Sequence, residues 1–435
     1  MPYYKKIYIG GDMKDTRNAD DQRRQFLNWL AASPLFALTL GQEAYADDPK
    51  ELLRNVSKRP DPMIWTPTTP LDLINNPKEA INVFDFEPVA FTKVPPAHFG
   101  YMASGIDDEV TLRANRTSFL KYQLRPRRLR DVSKIDMSVS LFGTKWKTPI
   151  IIAPTGGNKA YDPEGEIAVA RAARKGGFLN VLSNAGASTI EDVIAARQGE
   201  VWFQLYATSS VEVAKKVIQR VERAGAPVLE ITIDRNGGRN QETFAHLKKL
   251  DPRNCVGCHT HGFGSPTERP NYDGIDMTGV KSMQSSNMTW DFIQQVRDVS
   301  KMKIILKGIL TQEDAQLALK YGVDGIHVSN HGGRSEDGGR GAIECLPEVA
   351  QVARGKIPIL FDSGIRRGSD IFKAMALGAS AVCVGRPYLW GLGAFGQPGV
   401  ERVMEILQTE FSGIMQQMGA ANIAAIEPSM VMKAS

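Results

Sequence analysis

The residues best suited to chemistry in this chain are His331 and Arg334, which stand three positions apart in a glycine-containing segment at 329–334. They follow an apolar run at 325–328 that is typical of a buried strand. Histidine needs little adjustment of its pKa to act as a base near neutral pH. Arginine binds a planar carboxylate through two parallel hydrogen bonds. The pair therefore predicts a loop that holds a carboxylate and removes a proton from the atom beside it.

Polar residues recur at the ends of the apolar runs that follow one another between residues 149 and 385. They are Thr155, Ser183, Gln204, Tyr206, Thr232, Asp234, Lys307, His331, Arg334, Asp362 and Arg386. A polar residue after a single strand is common and carries little information. Because the carboxyl ends of the strands of a parallel barrel meet on one face, the whole set predicts one polar site there.

Two glycine-rich loops near the end of the chain have the composition of an anion-binding site. They are Asp362-Ser363-Gly364-Ile365-Arg366-Arg367-Gly368 and Gly385-Arg386-Pro387. Glycine lets backbone N–H groups approach an anion, and arginine adds positive charge. Since the last two loops of a barrel commonly bind phosphate, these loops predict a cofactor that carries a phosphate. Tight turns without a ligand are the alternative.

The elements that must position these residues alternate regularly. Eight apolar runs occupy 149–154, 178–182, 201–206, 228–234, 303–307, 325–329, 357–362 and 381–385, and amphipathic stretches occupy 164–175, 188–197, 211–223, 291–299, 312–321 and 367–377. Continuous apolar strands that alternate with helices indicate parallel strands covered on both faces. We therefore predict an α/β fold, a closed (β/α)8 TIM barrel. An open doubly wound sheet is the alternative, but no Gly-x-Gly-x-x-Gly follows the first strand.

Two segments lie outside this alternation. About fifty residues separate the fourth apolar run from the helix that should follow it, where a βα loop usually has two to six. We predict a long functional loop after the fourth barrel strand. Before the barrel, short helices and turns are expected, so we divide this part of the chain into a helical lead-in at 47–110 and a barrel at 111–435.

The chain resembles the FMN-dependent 2-hydroxy acid dehydrogenase and oxidase family in seven segments that occur in the same order. They lie at 101–105, 152–155, 163–166, 203–206, 307–308, 329–334 and 362–368. That family includes glycolate oxidase, lactate oxidase, mandelate dehydrogenase and flavocytochrome b2. The resemblance implies that 111–435 is an FMN-binding barrel that oxidises a 2-hydroxy acid to a 2-oxo acid. It also implies that the protein is a homo-oligomer, namely a tetramer.

The resemblance implies a role for each matching residue. His331 would be the catalytic base, Asp234 would stabilise its imidazolium form, and Lys307 would stabilise the reduced flavin. Arg334, Tyr101 and Tyr206 would bind the substrate, and Tyr206 would also contact its reacting hydroxyl. Cofactor contacts would come from Thr155, Gly156, Ser183, Gln204, Thr232, Lys307, Ser329, Asp362, Gly364, Arg366, Gly385 and Arg386. From the residues alone, Tyr101 also fits a core aromatic and Asp234 a turn residue.

The chain departs from the family at a position that the family uses to bind substrate. Seven residues after the aspartate of the fourth strand the family usually has a second carboxylate-binding arginine, and here Gln241 occupies that position. We predict that Arg239 binds the carboxylate in place of that arginine. The alternative is that this chain has no second carboxylate-binding cation. Ala185 stands where the family often has a bulky residue, which favours a longer or aromatic substrate. Gly156 stands where many oxidases have alanine, which favours an electron acceptor other than oxygen.

The long loop contains Cys255-Val256-Gly257-Cys258-His259, which matches the attachment motif for a c-type haem. One hypothesis is that a covalent haem c, held by Cys255, Cys258 and His259, takes electrons from FMN. The alternatives are a disulfide between the two cysteines, a metal site that includes His259 and His261, and unpaired thiols. Elsewhere the sequence predicts no metal site.

The first 46 residues have the features of an export signal. Arg23 and Arg24 precede an apolar stretch at 29–38, and Ala44-Tyr45-Ala46 fits a cleavage site. We predict a twin-arginine signal over 1–46 and a periplasmic protein; an amphipathic helix packed on a cytoplasmic protein is the alternative. The net charge of +5 without a long basic block excludes nucleic acid as an expected partner.

The residues and the resemblance together predict FMN-dependent oxidation of an (S)-2-hydroxy acid, lactate-like or larger. Electrons would pass to a quinone, a cytochrome or oxygen. One alternative is an FMN-binding electron carrier or sensor without turnover. Another is a different FMN barrel enzyme, such as an isopentenyl diphosphate isomerase. His331, Arg334 and Tyr206 favour hydroxy acid chemistry over that second alternative.

Overall fold

The computed structural model describes residues 73–235, 237–253 and 269–434. Within these residues, eight parallel strands close into a barrel surrounded by helices, which confirms the α/β barrel that the sequence predicts. The predicted export signal, the first part of the lead-in and the Cys255-x-x-Cys258-His259 motif lie outside the described residues. Those three hypotheses, and the proposed division of the chain into segments, therefore stay predictions.

The strands account for the long apolar runs of the sequence. In chain order they are β1 (Tyr122–Leu124), β2 (Val139–Leu141), β3 (Thr144–Trp146), β4 (Ile150–Ile152), β5 (Leu179–Ser183), β6 (Trp202–Leu205), β7 (Val228–Thr232), β8 (Lys303–Ile309), β9 (Gly325–Val328), β10 (Ile359–Phe361), β11 (Ala381–Val384) and β12 (Val431–Lys433). Strands β4 to β11 form the barrel in sequential order, and β11 pairs with β4 to close it. Every residue of these eight strands is buried except Lys303 and Gly308. Burial on both faces explains why the runs do not alternate between apolar and polar residues.

The helices are α1 (Phe86–Lys93), α2 (Pro96–Ala103), α3 (Val110–Thr117), α4 (Gly165–Gly176), α5 (Ile190–Arg197), α6 (Val211–Arg223), α7 (Glu242–Lys249), α8 (Asp291–Arg297), α9 (Gln312–Lys320), α10 (Ala342–Ala353), α11 (Gly368–Ala376) and α12 (Arg386–Met418). The sequence did not predict α10 or α12, nor α7, which lies in the segment that it treats as a long loop. Pro347 lies inside α10, and α12 begins with several glycines and is kinked at Phe395 and Gly396. Proline and glycine are ordinarily helix breakers, so they hid α10 and α12. Among the described helices, none is long and apolar enough to cross a membrane.

A small hairpin closes the amino-terminal end of the barrel. Strands β2 and β3 pair through a two-residue turn in which Phe142 and Gly143 both have positive φ, the conformation that favours glycine in such turns. Leu141 and Trp146 of the hairpin pack into one buried apolar cluster with the first residues of barrel strands, including Val228. The opposite end, where the strands finish, is left for a site.

The segment before the first barrel strand is joined to that opposite end. Its strand β1 pairs with β12, so this segment and the carboxyl terminus hold each other. Asn115 of α3 exchanges two 2.8 Å hydrogen bonds with Asn330, the residue before His331. Helix α3 therefore anchors the loop that carries His331, and α2 brings Tyr101 to the same end of the barrel.

Candidate active site

A cleft at the carboxyl ends of the barrel strands collects most of the residues that the sequence singled out. It has about 820 Å³ of space when the adjoining open solvent is included. The predicted residues that line it are Tyr101, Thr155, Gly156, Tyr206, Lys307, His331, Arg334, Asp362, Gly364, Arg366, Gly385 and Arg386. Six of the predicted residues do not line the cleft and lie behind or beside its wall. They are Ser183, Gln204, Thr232, Asp234, Arg239 and Ser329.

His331 and Asp234 form the central pair of the site. Nδ1 of His331 lies 2.9 Å from Oδ1 of Asp234 and 3.2 Å from Oδ2. Burial lowers the pKa of His331 to about 3 despite the opposing effect of Asp234, so its imidazole is neutral at neutral pH. With the single proton on Nδ1, facing the carboxylate, Nε2 carries a lone pair and can serve as a base.

The backbone around this pair holds it in an unusual geometry. His331 has a φ of 58°, in the left-handed region, and its N–H donates to Oγ of Ser329 at 3.0 Å. Gly308 in β8 has a φ of 113°, and a Cβ built there would lie 2.7 Å from Cβ of Asp234. A larger residue at 308 would push Asp234 away from His331, so this glycine permits the pair.

Tyr206 and Arg235 both reach the basic nitrogen of His331. The hydroxyl of Tyr206 lies 3.1 Å from Nε2, and Nη1 of Arg235 lies 3.3 Å from the same atom. The guanidinium of Arg235 also lies 5.4 Å from the centroid of the Tyr206 ring. With the amide of Gln284 oriented so that its oxygen faces Arg235, that oxygen accepts from Nη2 at 3.0 Å. The sequence analysis missed Arg235, although a charged residue directly after the strand-end aspartate was a usable signal.

Arg334 is placed to bind an anion but is already partly engaged. Its Nη1 donates to the carbonyls of Tyr101 at 2.6 Å and Ser104 at 2.8 Å, and its guanidinium lies 4.7 Å from the centroid of the Tyr101 ring. Its Nη2 is buried and has no hydrogen-bond partner among the described residues. The described part of the protein therefore leaves the hydrogen-bonding capacity of this nitrogen unused.

Gln241, which occupies the position of the family's second arginine, does not line the cleft. The side-chain amide of Gln241 donates to Oγ of Ser104 at 3.1 Å. Arg239 instead has a buried Nη1 without a partner in the described part of the chain. Burial, together with Arg235 and Arg334, lowers the pKa of Arg239 to about 10. This mutual influence of three arginines is consistent with the prediction that Arg239 supplies the second cation.

Lys307, Ser329 and Asp362 form a hydrogen-bonded chain on the floor of the cleft. Nζ of Lys307 donates to Oγ of Ser329 at 2.7 Å, and Ser329 donates to Oδ1 of Asp362 at 2.6 Å. Burial opposes the charge of Lys307, but Asp362, Asp234 and Glu230 outweigh it and raise the pKa of Lys307 above its ordinary value. Lys307 therefore stays a cation within the floor of the cleft.

Three further predicted residues form a second chain along neighbouring strand ends. Oγ of Ser183 donates to Oε1 of Gln204 at 2.5 Å, and Nε2 of Gln204 donates to Oγ1 of Thr232 at 2.9 Å. All three are buried. The chain fixes the amide orientation of Gln204, which is the kind of rigid polar support that a flat polar ring requires.

The last two loops bring the cations Arg366 and Arg386 to one side of the cleft. The guanidinium of Arg366 lies 4.7 Å from the centroid of the Trp390 ring, and burial, Arg116 and Arg386 lower the pKa of Arg366 to about 9. Space is open where a side chain would begin at Gly385, directly before α12. This cradle fits a phosphate group. All three side-chain nitrogens of Arg386, however, donate to carbonyls of Met102, Ser104 and Gly332, so its predicted contact with phosphate stays a prediction.

A buried cluster of charges, which the sequence analysis also missed, lies beneath the floor. Nδ1 of His327 is 3.0 Å from Oε2 of Glu230, and its Nε2 is 3.3 Å from Oδ2 of Asp362, which in turn is 3.4 Å from Nζ of Lys307. Burial opposes the charge of His327, but Cys383, Glu230 and Asp362 outweigh it and raise the pKa of His327 well above its ordinary value. We call Glu230, His327, Asp362 and Lys307 the core quartet. The sequence contains a signal for this cluster, because Glu230 and His327 are ionisable residues inside two of the apolar runs.

Comparisons with known proteins agree with this fold and site. A sequence profile of the FMN-dependent dehydrogenase family matches residues 90–433. A peroxisomal (S)-2-hydroxyacid oxidase of Arabidopsis thaliana is 37% identical over 346 residues, which are 79% of this chain and 94% of the relative. An L-lactate oxidase of Lysinibacillus sphaericus is 36% identical over 354 residues, which are 80% of this chain and 92% of the relative.

The solved structures point the same way. A soluble mutant of the membrane-associated (S)-mandelate dehydrogenase of Pseudomonas putida matches with a TM-score of 0.75 and 33% identity, covering 82% of this chain and 100% of that chain. Fold and site thus define a flavin-dependent barrel oxidoreductase. More narrowly, the chain belongs to the FMN-dependent 2-hydroxy acid dehydrogenase and oxidase family. The phosphate cradle, the strand-end chain and Lys307 are the residues that fit FMN.

Proposed function

We propose that this protein oxidises an (S)-2-hydroxy acid, lactate-like or larger, to the corresponding 2-oxo acid. The observation that carries the proposal is the neutral His331, whose Nδ1 is bonded to Asp234 while Nε2 faces the cleft beside Tyr206. A neutral imidazole can accept a proton at neutral pH, and Asp234 stabilises the imidazolium that forms. The unpaired Nη2 of Arg334 supplies the matching carboxylate site.

The residues of the chain would divide the work as follows. Nη2 of Arg334 binds the substrate carboxylate, and Nε2 of His331 accepts a proton from the substrate. Asp234 stabilises the imidazolium that forms, because its carboxylate already holds the Nδ1 proton. FMN, when bound, accepts the two electrons that the substrate loses. Lys307 keeps a positive charge in the floor of the cleft, which favours the arrival of negative charge there.

The test is anaerobic absorption spectroscopy of the FMN-loaded protein with a panel of (S)-2-hydroxy acids. We expect at least one acid to bleach the flavin band. In His331→Gln the flavin should still bind, and the rate of bleaching should fall by about 10²- to 10⁴-fold. His246→Gln is the matched control, because His246 is exposed on α7 and does not line the cleft. Bleaching by His331→Gln at the wild-type rate would falsify the proposal.

We further propose that electrons leave the reduced enzyme for a quinone or a cytochrome rather than for oxygen. Gly156, which lines the cleft where many oxidases of the family carry alanine, supports this choice. Reoxidation of the substrate-reduced enzyme should be at least tenfold faster with a soluble quinone or cytochrome c than with dissolved oxygen. The reverse order would make the protein an oxidase.

Export through the twin-arginine route is a further proposal, supported by Arg23, Arg24 and the cleavage-like Ala44-Tyr45-Ala46. Fractionation of the cells that make the full chain should find it in the periplasm, with a new amino terminus near residue 47. Replacing both arginines by lysine should retain the protein in the cytoplasm. A wild-type chain found uncleaved in the cytoplasm would contradict export.

A covalent haem c at Cys255, Cys258 and His259 is proposed from the spacing of these residues alone. A pyridine haemochrome spectrum of protein made with cytochrome maturation factors should show haem in the wild type and none in Cys255→Ser/Cys258→Ser. Wild-type protein without haem would contradict this proposal. The two cysteines would then form a disulfide, belong to a metal site or stay as free thiols.

A homotetramer is proposed from the family resemblance. Light scattering coupled to size-exclusion chromatography should give four times the mass of the chain, which is 47.8 kDa before any cleavage. A mass of one chain at micromolar concentration would overturn this assignment.

A further inference from the structure

Four arginines surround Tyr101, and we call them the arginine cluster. Arg334 lines the cleft, whereas Arg235, Arg239 and Arg269 lie behind or beside its wall. Their common neighbour is Tyr101 of α2, over whose ring Arg334 lies. Burial raises the pKa of Tyr101, but the four arginines outweigh burial and lower that pKa to about 8. All four charges therefore act on the same point of the cleft wall.

The hydrogen-bonding capacity of the cluster is not used up by the protein. Three nitrogens of the cluster are buried and have no hydrogen-bond partner among the described residues: Nε of Arg235, Nη1 of Arg239 and Nη2 of Arg334. Arg235 and Arg334 are each only 8% exposed. A buried donor without an acceptor is costly, and a buried charge without a counter-ion more so. The cluster is therefore built to be completed by an anion.

The charge of the cluster exceeds what one carboxylate can neutralise. Asp234, next to Arg235 in the chain, supplies one negative charge and is already bonded to His331. Four positive charges less this one leave three. A monocarboxylate would leave two positive charges unneutralised, and a doubly charged ligand would leave one.

We propose that the substrate is a 2-hydroxy acid that carries a second anionic group at the far end of its side chain, most simply a 2-hydroxy dicarboxylate. Arg334, beside His331 and Tyr101, takes the carboxylate next to the reacting carbon. Arg239 takes the second anion through its unpartnered Nη1, instead of a second contact to the first carboxylate, and Arg235 and Arg269 contribute charge around it. The inference rests on the proposed function and deepens it. The second anion takes no part in the oxidation and acts only in binding.

The experiment compares pairs of substrates on the FMN-loaded full chain. (S)-2-Hydroxyglutarate is set against its 5-methyl ester, which has the same length but no second charge, and (S)-malate is set against (S)-2-hydroxybutyrate. A 2-hydroxy acid with a terminal phosphate forms a third arm. We expect kcat/KM for flavin reduction by the diacid to exceed that of the ester by about tenfold or more, the usual size of a charge-assisted contact.

A variant locates the effect within the cluster. Arg239→Gln should lower the ratio of kcat/KM for the diacid to that for the ester by about tenfold, mainly through KM. Arg354→Gln removes one positive charge from an exposed site after α10 that does not line the cleft, and it should leave the ratio unchanged. A dissociation constant for glutarate, from the perturbation of the oxidised flavin spectrum, should weaken in Arg239→Gln alone. This binding measurement does not depend on turnover.

The outcomes separate this inference from the proposed function. Equal or faster flavin reduction by the ester overturns the second anion while the oxidation of 2-hydroxy acids stands. Bleaching by none of the acids overturns the proposed function itself. A phosphorylated acid that outperforms both dicarboxylates supports the second anion and assigns it as phosphate. An unchanged ratio in Arg239→Gln overturns the assignment of the second anion to the arginine cluster.

Discussion

The core quartet and the arginine cluster are both dense groups of charge, and they differ in how the charge is balanced. In the core quartet two cations, His327 and Lys307, face two carboxylates, Glu230 and Asp362, within 3.0–3.4 Å. The arginine cluster contains cations only, and three of its nitrogens lack a partner among the described residues. Charge is balanced within the core quartet, although Oε1 of Glu230 and Nε2 of His327 also lack a hydrogen-bond partner among the described residues. The arginine cluster reaches charge balance only with a ligand.

This difference separates charges that are paired within the fold, among them Lys307 and Asp362 at the cleft floor, from charges that are left for the substrate. A balanced buried group resists the removal of any one member, because the partner would be left as an isolated charge in the core. An unbalanced group repels itself, so removal of one member relieves the free protein while it weakens binding. Substitutions in the two groups should therefore have opposite effects on stability, which makes the comparison testable.

The largest effect is expected from His327→Leu. Loss of the imidazolium leaves Glu230 charged and unpaired in the barrel, and the free energy of unfolding should fall by about 3–5 kcal/mol. Urea denaturation with FMN present at a fixed concentration measures this change.

Removal of both partners is the control for that result. Glu230→Met/His327→Leu replaces the pair with apolar residues of similar volume, and the free energy of unfolding should return to within about 1–2 kcal/mol of the wild type. Asp362 keeps Lys307 and Ser329 as partners in the double variant. A double variant less stable than His327→Leu would contradict the view that charge balance is what the pair contributes.

The second-largest effect is expected from Arg334→Lys in the arginine cluster. This variant keeps the positive charge but loses the planar guanidinium and its stacking on Tyr101, so kcat/KM should fall by about 10- to 100-fold. Steady-state reduction of a dye by the best hydroxy acid measures it. Unchanged kcat/KM would show that charge alone, without the geometry of a guanidinium, recruits the substrate.

The third effect is a dependence on pH. Because the pKa of Tyr101 is about 8, its hydroxyl is protonated below pH 8, and above it the group loses a donor and adds a negative charge. The value of kcat/KM should fall about tenfold per pH unit above pH 8. No fall is expected on the acid side near pH 6.5, because the pKa of His331 is lowered to about 3.

Tyr101→Phe tests whether Tyr101 causes the fall of kcat/KM above pH 8. In this variant the maximum kcat/KM should be lower, and kcat/KM should not decline between pH 8 and pH 9. A decline that persists in Tyr101→Phe belongs to another group, and a fall near pH 6.5 in the wild type would mean that His331 titrates normally.

The smallest effect should have the opposite sign to the first. Arg239→Met removes one of the mutually repelling arginines, and without substrate the free energy of unfolding should rise by about 0.5–1 kcal/mol. Arg354→Met, at an exposed position outside the cleft, should change it by less than about 0.5 kcal/mol. Destabilisation by Arg239→Met would place Arg239 with the core quartet, as a residue that serves the fold.

The sequence predicted the barrel and most of the cleft because both depend on local patterns. A strand buried on both faces must be apolar throughout, so its run is visible, and the residue after it must lie at the mouth. His331, Lys307 and Asp362 were found in this way. Arg235 was missed because the residue after Asp234 was read as loop, and α10 was missed because Pro347 interrupts its pattern.

By itself, the sequence determined the order of the elements, the face on which the site lies and the types of residue that reach it. Only the tertiary structure decided how the charges are paired. Glu230 and His327 are 97 positions apart, and Gly308 matters only because Asp234 packs against it from the neighbouring strand. Periodicity reports the side of an element on which a residue lies, whereas pairing depends on distances between elements, which only the closed barrel sets.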